Sequence, residues 1–333
     1  KQQSMSIEQS SHVAPYPDSP AARDRWILDR RPARLPVNPA QPNACFIEQE
    51  RDVSGEIVPV ATLFLTNREC PWRCLMCDLW KHTLTVSVAP GSIPQQIDHA
   101  LQALTAHAAA APRQIKLYNS GSFFDARAIP PEDHPAIADR VRGFERVIVE
   151  CHPALISERI LPFRDRIGTQ LEIALGLETV HPEILPRLNK RMTAAQFAEA
   201  AGFLKTHGIA LRVFVLVKPP FLAESDACLW AGRSIDFAYD CDAAVVSLIP
   251  TRLGNGALEA LAATNEFSPP RLDTFEAAVD YGMGLQRGRL FADLWDLQQF
   301  ATCATCLPDR QERLNRMNHR QRMEERVHCT ACG

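Results

Sequence analysis

A chain of 333 residues that is 46% hydrophobic carries enough apolar surface for one large α/β domain or two smaller ones. Its net charge of −3 excludes a global positive field that would recruit nucleic acid or an anionic membrane, though it permits a local basic surface. No stretch of about 18 uninterrupted apolar residues occurs, so no spanning helix is expected, and the polar opening KQQSMSIEQSSHVAP lacks the apolar core of a signal peptide, which leads us to expect a cytoplasmic location.

Taken in chain order, residues 1–50 are rich in Pro, Ser and Arg, show no sustained period and read as an N-terminal arm, partly disordered. From residue 57 the pattern changes. Apolar, β-branched runs at 57–66, 114–120, 146–151, 171–178, 211–218 and 243–250 alternate with helical stretches at 93–108, 134–144, 153–163, 193–208 and 224–240. Such alternation is the mark of βα units around a parallel sheet. Thr193 is a natural N-cap for the fourth helix and Gly208 its natural stop. Six strands are too few for a closed eight-stranded barrel, so the expected fold is α/β, an open partial (β/α)6 barrel over residues 51–255 with its chemistry at the C-terminal ends of the strands. After residue 255 the strand signal fades, and 256–333 reads as a helical C-terminal extension ending in a Cys-rich metal site.

Eleven cysteines are many for a reducing compartment, where disulfides rarely persist. Cys45, Cys151, Cys228 and Cys241 are scattered and read as small buried hydrophobes. The other seven form two tight groups, which argues for metal. Cys70, Cys74 and Cys77 follow the first strand with the spacing C-x3-C-x2-C. A structural zinc wants four protein ligands, and a catalytic zinc usually takes His or carboxylate among three. Three thiolates suit a 4Fe–4S cluster better, with one iron left open to a small molecule.

With this spacing after a first strand, the chain resembles the radical SAM superfamily. The resemblance implies that S-adenosylmethionine chelates the open iron through its amino and carboxylate groups. It also implies that one electron splits the sulfonium, normally to a 5′-deoxyadenosyl radical. An electron donor such as flavodoxin or ferredoxin is then an implied partner. Met76 stands where the family often has an aromatic, and its polarizable thioether offers a surface for adenine. Asn119, Ser120, Gly121 and Ser122 match the motif that holds the methionyl amino group, and small residues there let backbone approach a ligand. Glu178 ends the fourth strand, as an acceptor for ribose hydroxyls or as a solvated charge. Lys218 ends the fifth, to meet the cofactor carboxylate or a substrate anion, and Arg252 beside Thr251 ends the sixth as a substrate-binding candidate. Glu150 and His152 close the third strand as weaker candidates. Read together, NSGSFFD, GLET with LNKRMT, and FVLVKPPF are similar to the branch that includes the archaeosine-synthase radical subunit and is related to the elongator catalytic subunit.

The second group, Cys303, Cys306, Cys329 and Cys332, has the spacing C-x2-C-x22-C-x2-C. Paired knuckles of this kind converge on zinc or, alternatively, on an auxiliary iron–sulfur cluster; zinc is the commoner sequence form. Six arginines and four acidic residues lie between the knuckles, which reads as a helix laced with ion pairs or, more sharply, as a phosphate-facing element. The expected function is a radical SAM enzyme acting on a small metabolite or biosynthetic intermediate, with no membrane partner. Two alternatives stand beside it: a tRNA-modifying enzyme that cleaves a C–N bond on a deazaguanine, and a non-catalytic metal-bearing interaction protein.

Overall fold

The computed structural model describes residues 14–106 and 110–332. Most of the expected N-terminal tail and the last residues of the helix read over 93–108 lie outside them. Eight strands form one sheet: β1 (Ala44–Arg51), β2 (Ile57–Phe64), β3 (Gln114–Tyr118), β4 (Arg146–Cys151), β5 (Gln170–Glu178), β6 (Ala210–Val217), β7 (Val245–Pro250) and β8 (Arg289–Ala292). They lie in sequence order. β1 is antiparallel to β2, and every later neighbour is parallel. The helices are α1 (Pro20–Leu28), α2 (Ser92–Thr105), α3 (His134–Val141), α4 (Leu161–Ile167), α5 (Ile184–Arg187), α6 (Ala194–Thr206), α7 (Glu224–Asp240), α8 (Ala257–Ala263), α9 (Leu272–Leu285) and α10 (Leu307–Arg320). The whole is the curled, open half-barrel expected of the α/β pattern.

The central strands are buried on both faces, as near-continuous apolar runs require: every residue of β5 after its first is buried. The main apolar core packs these strands against α2, α3, α6, α7 and α9 through residues such as Ile97, Ile137, Phe197, Ile235 and Phe275. Polar groups fill the concave side. Arg212 on β6 reaches Glu50 on β1 at 2.5 Å and Glu172 on β5 at 2.7 Å. Lys116 on β3 also reaches Glu50, at 2.5 Å. β1 and β6 are far apart in strand order, so the Arg212–Glu50 contact forms only across the hollow of a curled sheet. All four of these residues are nearly inaccessible to water.

The capping box at α6 forms as expected. Thr193 Oγ1 accepts from Gln196 N at 3.2 Å, and Gln196 Oε1 accepts from Thr193 N at 3.0 Å. The helix expected over 153–163 instead begins at Leu161, because Ile156 is extended and splits the segment into two short turns before α4.

From residue 14 onward the N-terminal arm carries regular elements that composition did not suggest. Ser19 caps α1, Pro20 occupies its first turn, and Trp26 and Ile27 are buried with Tyr16 and Leu258 in a second apolar cluster. β1 was missed because its alternation places Glu48 and Glu50 toward Lys116 rather than placing apolar side chains in a core. β8 has only four residues, too few to show a period.

α10 lies against both β8 and β1, across the mouth of the half-barrel. The Asn318 amide donates to Ala292 O at 2.9 Å and accepts from Ala292 N at 2.8 Å. The Gln321 amide does the same with Leu290, at 2.9 and 2.7 Å. Two side chains thus satisfy backbone groups that the edge strand would otherwise leave open.

Candidate active site at the strand ends

Three strands break sharply at their C-terminal ends. Ser120 after β3, Glu178 at the end of β5 and Lys218 after β6 adopt left-handed backbone, with φ of 54°, 66° and 54°. Non-glycine residues rarely sit there, and such strain gathers at functional sites. Each of the three is a residue already singled out at a strand end.

The Cys70–Cys77 loop leaves β2 at this rim. Burial pushes the thiols of Cys70, Cys74 and Cys77 up to about 12, so a strongly electrophilic partner is needed to hold them as thiolates. Among the described residues, only the C-terminal cysteines bring their donor atoms within 4.8 Å of one another. The early trio offers three thiolates spaced C-x3-C-x2-C, a donor set that suits a multi-iron cluster with one iron left open.

Gly121 lies against this loop. A Cβ there would approach the Cys70 Cβ to 3.2 Å, so any larger residue would push the cysteine loop outward by a few tenths of an ångström. Glu150 at the end of β4 holds the turn: its Oε1 accepts from Asn119 N at 2.6 Å and Gly121 N at 3.2 Å. Burial raises the Glu150 carboxyl to about 7, against the pull of these N–H groups. Ser122 Oγ accepts from His152 N at 2.9 Å. The Asn119 side chain is fully buried, yet neither its Oδ1 nor its Nδ2 has a partner; Thr66 Oγ1, Asn67 Oδ1 and Asp125 Oδ2 are also unpartnered. Buried polar groups are normally satisfied, and orphans gathered on both sides of the cysteine loop fit a site built for a polar ligand.

Glu178 is not a solvated charge. It is buried and pairs with Lys190 Nζ at 2.5 Å. Burial opposes the Lys190 charge, but Glu178 and the neighbouring Cys74 and Cys70 outweigh it and hold the amine above its ordinary range. A Cβ on Gly176 would fall well inside 3.0 Å of both Glu178 Oε1 and Lys190 Nζ. Met76 is half-buried and joins the apolar clusters around Leu75 and Leu188. Lys218 and Arg252 face the protein itself. Lys218 Nζ contacts Ser268 Oγ at 2.6 Å and Glu224 at 2.7 Å. Arg252 pairs with Asp293 at 2.8 Å and donates to Trp295 O at 2.5 Å.

His152 is structural. Its Nδ1 accepts from Ala154 N at 3.1 Å, so Nε2 carries the proton and donates to Lys190 O at 3.0 Å. Burial and Lys190 lower it to about 4, which keeps the ring neutral. That ring stacks on Trp72 of the cysteine loop, with centroids 3.8 Å apart and planes 10° apart. Lys190 and Trp72 had no separate signal in the sequence, because their partners come from loops distant along the chain.

At the far end of the chain the four cysteines converge. Sγ of Cys303 is 3.9 Å from that of Cys329, and Cys306 is 3.8 Å from Cys332. These are the edge lengths of a thiolate tetrahedron around a single ion with bonds of about 2.3 Å. Of the six arginines between the knuckles, Arg313 is buried against Asp280 at 2.5 Å and Arg310 pairs with Glu276 at 2.6 Å, Arg316 pairs with Glu324 at 2.7 Å at the surface, and Arg320, Arg322 and Arg326 are exposed.

No family model matches the chain. It is 28% identical over 231 residues to archaeosine synthase subunit beta of Methanosarcina acetivorans, covering 66% of each protein. It is also 25% identical over 222 residues to an uncharacterised protein of Methanocaldococcus jannaschii, covering 63% of this chain and 61% of that one. The chain thus spans somewhat less than two thirds of these relatives. Among solved structures, methylornithine synthase superposes with a TM-score of 0.53 at 14% identity over 77% of this chain and 69% of that one, a likeness of fold alone. With three cysteines spaced C-x3-C-x2-C after β2, the half-barrel and these relatives make the chain similar to proteins of the radical SAM superfamily.

Proposed function

We propose that the chain is a radical SAM enzyme in which Cys70, Cys74 and Cys77 hold a 4Fe–4S cluster, and that it acts on a small metabolite or biosynthetic intermediate. Supporting it above all is the placement of three buried thiols beside the unpartnered Asn119 side chain. When bound, the cluster and S-adenosylmethionine supply the one-electron cleavage that makes a carbon radical. The chain's own residues hold and orient. Glu150 fixes the Asn119–Gly121 turn, whose Asn119 amide is available to the polar methionyl end. The Glu178–Lys190 pair offers a carboxylate to ribose hydroxyls and an ammonium to a carboxylate. Trp72 on His152 stiffens the cysteine loop. Met76 contributes an apolar wall for adenine. The C-terminal tetrahedron is proposed to hold one zinc ion.

A second reading, modification of a deazaguanine in tRNA, is favoured by the archaeosine-synthase relative. Arg310 and Arg313 are taken up by buried ion pairs, which leaves the exposed Arg320, Arg322 and Arg326 as the phosphate-facing candidates of the C-terminal segment.

Anaerobic reconstitution with iron and sulfide, reduction with dithionite and mass spectrometry of the nucleoside product test the proposal. Intact protein is expected to convert S-adenosylmethionine to 5′-deoxyadenosine, and Cys74→Ala to lose both bound sulfide and turnover. Zinc without sulfide at the early loop, or a cofactor that survives, overturns it.

A further inference from the structure

On the concave face, aromatic rings replace charge one tier above the Glu50–Lys116–Glu172–Arg212 network. Tyr118 follows Lys116 by two residues and Phe214 follows Arg212 by two, so both stand nearer the C-terminal strand ends on the same face. The rings form an arc. Between centroids, Trp295 just after β8 is 5.9 Å from Phe46 on β1, and Phe46 is 6.0 Å from Phe64 on β2. Phe64 is 6.0 Å from Tyr118 on β3, and Tyr118 is 6.3 Å from Phe214 on β6. Two strands separate β3 from β6, so the last contact crosses the hollow. Rings packed as core would be buried, yet Phe46, Phe64, Tyr118 and Phe214 are half-buried and Trp295 is 65% exposed. Inward-pointing rings that still meet solvent line an open chamber. It adjoins the proposed cofactor site: Tyr118 directly precedes Asn119, and Phe214 lies in register with Gly176, which abuts the Glu178–Lys190 pair.

The chamber offers few free polar groups. Ser247 on β7 is half-buried and in register with Phe214; its hydroxyl and that of Tyr118 have no hydrogen-bond partner among the described residues. Burial pushes the Tyr118 phenol up to about 12, against the pull of Lys116 and Arg212, so it keeps its proton and can donate. The charges beneath are taken up by one another, Lys116 by Glu48 and Glu50, Arg212 by Glu50 and Glu172. Arg252 at the rim is held by Asp293. We infer that the chamber takes an uncharged aromatic ring with one or two polar atoms, packed against Phe64, Tyr118 and Phe214 and accepting a hydrogen bond from the Tyr118 hydroxyl. The inference rests on the radical SAM reading above and names the substrate class of that site. Aromatic faces and edges at this spacing match a planar guest. A carboxylate or phosphate would meet no free cation, and a nucleobase would bury several edge donors and acceptors against two hydroxyls.

The test uses the full chain with 2-naphthol, uncharged at neutral pH, as the probe, beside 2-naphthyl phosphate and adenine. Equilibrium dialysis reads binding directly and needs no turnover. Wild type is expected to bind 2-naphthol saturably and each of the other two at least about tenfold more weakly. Tyr118→Phe, which keeps the ring and loses the hydroxyl, and Phe214→Leu, which loses a ring, are each expected to weaken 2-naphthol binding about tenfold. Should Phe214→Leu fail to fold, Tyr118→Phe decides alone. No saturable binding by wild type, or an unchanged affinity in a folded variant, overturns the inference. So does binding of either comparison probe as tight as that of 2-naphthol: the phosphate would assign the chamber to an anionic metabolite, and adenine to a nucleobase. Failure of reconstituted wild type to cleave S-adenosylmethionine overturns the enzymatic reading instead, with the dialysis result still standing.

Discussion

Gly176 occupies a space that a side chain cannot share with the Glu178–Lys190 ion pair. A methyl group there would press on both charged atoms, so Gly176→Ala must displace a buried ion pair while leaving the β5 ladder able to form. The expected outcome is a roughly tenfold loss of S-adenosylmethionine affinity, the order of one displaced charge-assisted hydrogen bond, measured by equilibrium dialysis on cluster-loaded protein. An unchanged affinity would remove the pair from the site. At this scale the sequence was most legible where spacing is itself chemistry. The intervals of Cys70, Cys74 and Cys77 carry the proposal of a metal cluster, and the small residues of NSGS foreshadow the close pass of Gly121 against Cys70. Lys190 was opaque because its partner Glu178 lies 12 residues away across a loop. His152 was held only as a weaker candidate, since a lone histidine is more often structural, and both of its ring nitrogens are occupied by backbone groups.

Among elements, α10 depends on what lies at its two ends. Cys306 precedes its first turn and Cys329 follows the segment after it, so an ion held by the four cysteines would fasten a helix that itself covers β8. Cys332→Ser is expected to lose the bound ion and lower Tm by several degrees, at about 2–4 °C per kcal/mol for a domain of this size. Metal analysis and a melting curve check it, and a variant that keeps its ion would exclude Cys332 as a ligand. Long amphipathic helices such as α7, and α6 with its capping box, were readable from sequence. Shorter elements were not: α1 has nine residues and β8 four, and neither spans enough turns or pleats for a period to emerge.

Across the whole molecule, the charged filling of the half-barrel links strands that are distant in the chain. Glu50 is the hub for Lys116 and Arg212. Burial works against its ionised form, yet those two cations outweigh the cost and hold its carboxyl well below the ordinary range. The sign follows directly. A depressed folded-state pKa contributes stability that is fully present above the unfolded value, about 4.3 for glutamate, and is lost as pH falls below it. Denaturant unfolding at pH 5 and at pH 2.5 is expected to show wild type losing stability across that interval. Glu50→Gln should be destabilised by about 3–5 kcal/mol at pH 7, because two buried cations lose their counter-charge, and should show a shallower acid dependence. Equal slopes would place the acid sensitivity elsewhere. The βα alternation revealed the parallel core and its open form, but not the strands at its two borders, because β1 is patterned for ion pairs rather than for oil.

Those borders have a consequence of their own. The seam between β8 and its surroundings is fastened by two carboxamides, those of Asn318 and Gln321, which imitate a neighbouring strand without being one. A clasp made of side chains can be removed by substitution without disturbing any ladder inside the sheet. The molecule therefore keeps a gap in its wall while denying other chains a foothold for polymerisation.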